Sequence, residues 1–95
     1  QHFGCCDCIA IHTPGHTPGS MSFIFDEYKI LVAGDTLFKG SIGRTDLPGG
    51  DFNEIVKSIR DKLYSLDDEL TVITGHGPST KIGIEKMENM FVRDL

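Results

Sequence analysis

The sequence predicts a mixed α/β (α+β) domain of about four strands and two helices. Three observations carry that prediction. Short runs of β-prone residues alternate with loops marked by glycine and proline. Between Phe52 and Leu66, apolar residues recur at three- and four-residue steps, as on an amphipathic helix. That helical segment, with a long loop, separates two of the strand-like runs, which is the usual crossover between parallel strands.

Taken in order, Cys8-Ile9-Ala10-Ile11-His12 reads as a first strand because Pro/Gly punctuation follows it. Thr13 to Gly19 is a loop built on an immediate duplication, HTPG then HTPG. Met21 to Phe25 is a second strand and Lys29 to Ala33 a third. The short gap between them implies an antiparallel hairpin. The third strand is nearly all apolar, as expected of one buried on both faces. Asp35 to Gly50 is expected to be a long loop, and loops of that length in compact domains are usually functional or disordered. Asp51 opens a helix, with Glu54 completing a capping-box-like D-x-x-E. Its stripe is Phe52, Ile55, Val56, Ile59, Leu63 and Leu66. Thr71 to Thr74 is a fourth strand, Gly75 to Gly83 a second loop, and Ile84, Met87, Met90 and Phe91 outline a terminal helix.

The chain has 95 residues, so it buries only about 60–65% of its unfolded surface. Hydrophobic residues at 39% and charged residues at 24% are ordinary globular usage, which excludes a coiled coil or a collagen-like chain. Net charge is −5 and no Lys/Arg cluster occurs, which argues against nucleic-acid partners and anionic membranes. No apolar run reaches the roughly 18 residues of a membrane span. The first residue is Gln1 and the chain enters strand-like material at once, so an excerpt of a longer polypeptide is expected. Three cysteines, Cys5, Cys6 and Cys8, are too close in sequence to make a disulfide framework. They read as small apolar residues on a strand or as a soft-metal or redox cluster, and a reducing, cytoplasmic compartment is expected.

Strands one, three and four should run parallel. Each is then followed within a few residues by a ligand-type side chain: His16, Asp35 and His76. In open α/β sheets ligands gather beyond the carboxyl ends of strands. His16 sits between two Thr-Pro-Gly units, whose prolines and glycines make a rigid mount; imidazole suits Zn, Fe or Ni. Asp35 either caps its own turn or bridges two cations. His76, in Gly75-His76-Gly77-Pro78, either approaches a metal or belongs to an anion cradle, although no Walker-type motif is present. His12 reads as a packing or supporting residue, and His2 is uninformative. Arg44 and Asp46 read as a solvated loop or as a local salt bridge shaping the rim of a site.

His12-Thr-Pro-Gly-His16-Thr-Pro-Gly19, Ala33-Gly-Asp35-Thr-Leu-Phe38, Gly43-Arg-Thr-Asp46 and Gly75-His76-Gly-Pro78 together resemble the second half of the metallo-β-lactamase superfamily. The match is nearest to the glyoxalase II-like (hydroxyacylglutathione hydrolase-like) branch and covers nearly all of residues 1–95. The resemblance implies the C-terminal half of an αβ/βα sandwich with a one- or two-metal site at a sheet edge. By it, His16 joins the first metal, Asp35 bridges both as the catalytic carboxylate, and His76 holds the second. The implied cofactor is Zn²⁺, mononuclear or binuclear, with Fe or Mn accepted. The implied reaction is hydrolysis of a small thioester or ester by hydroxide formed on the metal. The family's H-x-H-x-D-H motif, which supplies the other ligands, is absent from this sequence. Weak metal binding and negligible turnover are therefore expected of this chain alone. The apolar sheet face that the first half would cover is expected to pair with that missing N-terminal half, or in a homodimer. Rival readings are a non-catalytic truncated domain that folds by pairing with another chain, and a thiol-based metal store on Cys5, Cys6 and Cys8.

Overall fold

In the computed structural model, residues 2–3 and 6–92 are described, with side chains from Cys8 onward. Cys5 lies outside the described residues, as does the side chain of Cys6. A two-residue pairing, β1 (His2–Phe3) with β2 (Cys6–Asp7), precedes the main sheet. That sheet contains β3 (Ile9–His12), β4 (Met21–Phe25), β5 (Ile30–Gly34), β8 (Thr71–Thr74) and β9 (Thr80–Lys81) in the order β3-β4-β5-β8-β9. Strand β4 is antiparallel to both β3 and β5, while β5 and β8 run parallel. Strands β3, β5 and β8 therefore share one direction, and their carboxyl ends lie at one edge.

The segment between Asp35 and Gly50 differs from the expected plain loop. It carries a small hairpin, β6 (Leu37–Phe38) with β7 (Ser41–Ile42). Leu37 is fully buried in the main core, so a single apolar anchor organises an otherwise glycine-rich stretch.

Helix α1 spans Phe52–Ser58 and continues as a π turn over Ile59–Leu63. Asp51 caps it by accepting from the Glu54 N–H at 3.0 Å. The reciprocal half of the box does not form, because the Asp51 N–H donates instead to Gly15 O at 2.7 Å. Ile55, Ile59 and Leu63 are buried against Leu31, Val72 and Ile82, while Phe52 at the first turn is exposed.

Helix α2 (Ile82–Glu88) presents the face opposite to the one its apolar stripe implied. Ile84 and Met87 face out, and Met90 and Phe91, which the expected helix included, lie beyond the end of α2 and are also exposed. Its inward face is Ile82 and Glu85, and Asn89 and Val92 are buried just beyond its end. Apolar spacing reports a helix, but buried polar groups can win the inward face when their partners are supplied from elsewhere in the fold. Among the described residues, no helix is long and apolar enough to cross a membrane.

Candidate metal centre

The loop after β3 is fastened to α1 at three carbonyls. Lys62 Nζ donates to His12 O at 2.6 Å, Ser58 Oγ to Pro14 O at 2.7 Å, and the Asp51 N–H to Gly15 O. Gly15 has φ +141°, and a Cβ there would run into the Ile55 backbone, so only glycine lets the loop lie on the helix. The duplicated HTPG units then diverge in role. His12 Nε2–H donates to Pro18 O at 2.7 Å and closes the loop on itself. His16 Nδ1–H donates to Arg44 O at 2.8 Å. A carbonyl can only accept, so His16 carries its proton on Nδ1 and turns the Nε2 lone pair toward Asp35.

Asp35 leaves β5 where the β5–β8 register shifts between Val32 and Gly34. Bulges at strand ends re-aim side chains in this way. Thr36 N–H bonds back to Ala33 O at 3.0 Å and tightens the turn. Beneath it, Thr36 Oγ1 meets Thr13 Oγ1 at 3.3 Å, and Thr13 meets Ser22 Oγ at 2.9 Å. This buried run of hydroxyls joins the His16 loop to the Asp35 turn.

After β8, Gly75 N–H donates to Gly34 O at 2.7 Å, and the Thr74 hydroxyl donates to His76 O at 2.6 Å. A Cβ on Gly75 would collide with Asp35 Oδ1, so the His76 loop closes over the carboxylate only because that position is glycine. The His76 ring is 82% exposed and meets Phe38 edge to face, with centroids 6.0 Å apart.

The three segments thus bring His16, Asp35 and His76 together. His16 Nε2 stands 3.7 Å from Asp35 Oδ2, and His76 Nδ1 stands 3.3 Å from Asp35 Oδ1. They line one cavity of about 330 Å³, walled by Phe38, Ile42 and Gly43. Sequence reasoning missed that wall. Its only signal was the apolar Leu37-Phe38 and Ile42 inside a glycine-rich loop. Arg44 forms a two-pronged pair with Asp46, Nε to Oδ1 at 2.9 Å and a terminal nitrogen to Oδ2 at 3.1 Å. Hydrogen bonds from Arg44 hold the Asp46 carboxyl below its ordinary value, and the same bonds raise the Arg44 guanidinium. Arg44 therefore acts on the centre through its carbonyl, while its side chain clasps the rim. Cys8, by contrast, is a buried free cysteine just before β3, at the other end of that strand from the His16 loop.

The donor set tests whether a metal fits. Among the described residues, no three His, Cys, Asp or Glu side chains form a group able to hold an ion by themselves. What is present is one imidazole against each oxygen of a single carboxylate, with one lone pair already aimed inward. Such a set could supply part of the donors of a metal site, with His16, Asp35 and His76 as the residues that would hold the ion.

A metallo-beta-lactamase superfamily model matches residues 9–76, which include all three side chains. Hydroxyacylglutathione hydrolase GloC of Haemophilus influenzae is 51% identical over 82 residues, covering 86% of this chain and 39% of that protein. The crystal structure of the B3 metallo-beta-lactamase BLEG-1 superposes with a TM-score of 0.94 at 43% identity, over 97% of this chain and 44% of that one. TTHA1623, crystallised in a di-iron-bound form, gives 0.86 at 42% identity over 90% of this chain and 42% of that one. The chain thus spans about two-fifths of the length of these relatives. With the model matching well over half of the sequence and the fold superposing throughout, this chain belongs to the metallo-beta-lactamase superfamily.

Proposed function

We propose that this chain supplies one half of a metal-dependent hydrolase acting on a small thioester or ester, with His16, Asp35 and His76 as its share of the metal ligands. The observation that carries the reading is the placement of two imidazoles on different oxygens of Asp35. Zn²⁺ is the cofactor proposed; His16, Asp35 and His76 would hold it, and the same donors would accept Fe or Mn. When bound, it would supply Lewis acidity and a water of lowered pKa. The chain's own groups prepare for it. His16 is held in one tautomer by Arg44 O, Asp35 offers both oxygens, and Phe38 and Ile42 form an apolar wall beside them. The thioester reading is supported by the likeness to a protein named hydroxyacylglutathione hydrolase. A cytoplasmic setting is proposed with it.

The other ligands, and the cover for the second face of the sheet, are assigned to a preceding N-terminal half. Ala10, Phe23, Val32 and Ile73 stand in register across β3, β4, β5 and β8 on the face away from the helices. Ile73 and Met21 on that face are exposed. An apolar row of this kind favours association. It also supports the second reading, a non-catalytic domain that pairs with another chain, including a second copy of itself.

The deciding experiment compares this chain with a version extended upstream in its reading frame. Metal content and hydrolysis of an S-acylglutathione thioester are measured on both. Metal and turnover in the extended protein, lost on His16→Ala, are expected. Turnover by the 95-residue chain alone contradicts the half-site reading. An extended protein that binds no metal leaves the pairing-domain reading in its place.

A further inference from the structure

We propose that Glu85, wholly buried and outside the cavity lining, is a positioning residue that sets where Phe38 and His76 meet. Its carboxylate is 1% exposed, and each oxygen is committed to a different segment. Oε1 accepts from the Gly40 N–H at 2.9 Å, at the turn between β6 and β7. Oε2 accepts from the Thr80 hydroxyl at 2.7 Å, in the strand that leaves the His76 loop. Asn89, one helical turn later, donates to Oε1 and to Ser41 O, both at 3.0 Å. One side chain therefore ties the hairpin that carries Phe38 to the exit of the loop that carries His76.

The physical need for such a tie is visible in both partners. A hairpin of two-residue strands is not stable alone and takes its position from what it packs on. His76 is mostly exposed, so the Phe38 edge is a principal restraint on its ring. A buried carboxylate satisfied by several donors is a rigid link, since a buried partner left unpaired is strongly disfavoured. The tie between the two segments stands whether or not His76 is a ligand. Its effect on cation binding rests additionally on the ligand reading of His76 given above.

The test uses the protein expressed from its complete reading frame. In the metal-free protein, the Phe38–His76 ring contact is read by nuclear Overhauser effects and the Gly40 N–H by hydrogen exchange. Glu85→Ala is expected to abolish the ring contact and speed Gly40 exchange at least about tenfold. Glu85→Gln should restore both, because its amide oxygen serves Gly40 and Asn89 while its N–H₂ donates to Thr80. Zn²⁺ affinity should fall about tenfold in the alanine variant and recover in the glutamine one. If Glu85→Ala does not fold, Thr80→Val, which removes only the Oε2 bond, decides by the same ring contact. An unchanged Phe38–His76 contact in a folded Glu85→Ala, or in Thr80→Val where the alanine variant is unfolded, overturns the proposal. Zn²⁺ binding absent from the unmutated protein overturns the ligand reading instead, and leaves the ring contact to judge Glu85.

Discussion

His16 Nδ1–H donates to the backbone carbonyl of Arg44 at 2.8 Å, across 28 residues of sequence. That bond decides which nitrogen can be a ligand, because the proton on Nδ1 leaves the lone pair on Nε2, 3.7 Å from Asp35. The loop that carries Arg44 thus belongs to the centre through its backbone, while the Arg44 side chain is engaged with Asp46.

Replacing His16 by alanine is expected to weaken metal binding by at least about 100-fold, beyond the ~10–100-fold of supporting residues. Stability should change by only about 1 kcal/mol, the worth of one hydrogen bond. Metal titration and thermal unfolding of the upstream-extended protein check both. Affinity unchanged in the variant removes His16 from the ligand set.

Gly75→Ala places a methyl group against Asp35 Oδ1. The carboxylate must move, at a cost of about 1–3 kcal/mol, and metal binding should fall with it. Gly19→Ala, where a Cβ meets nothing within 4 Å, is the control and should shift stability by less than about 0.5 kcal/mol.

Asp51→Ala removes the cap on Glu54 N–H and should cost about 1 kcal/mol, or roughly 4–8 °C in melting temperature for a chain of this size. The Asp51 backbone bond to Gly15 survives this change, so metal affinity should move less than stability. A larger loss of affinity than of stability places the Asp51 side chain in the mounting of His16.

The Arg44–Asp46 clasp has a defined pH response. The folded Asp46 carboxyl titrates below its ordinary value because Arg44 bonds and attracts its ionised form. Its contribution is therefore complete above the ordinary carboxylate pKa and is lost as pH falls through the lowered folded value. A carboxyl-carbon NMR titration should give a depressed midpoint for Asp46 that returns toward normal in Arg44→Ala. Equal midpoints in the two proteins contradict the clasp.

Much of the scaffold was readable locally. Strands β3, β4, β5 and β8 announce themselves through β-prone runs between Pro/Gly turns, and the crossover makes β3, β5 and β8 parallel. Those directions suffice to bring His16, Asp35 and His76 to one edge, because a strand's polarity determines where the residue after it must stand. The inward face of α2 and the hairpin β6–β7 were not readable. Met87 and Phe91 look like core by spacing, yet Glu85 and Asn89 take the inside because Gly40, Ser41 and Thr80 supply their partners. Periodicity records what a segment prefers with its own neighbours. Which polar group can be buried depends on donors and acceptors that reach it from 45 residues away, as Gly40 reaches Glu85, and only the folded chain brings them there.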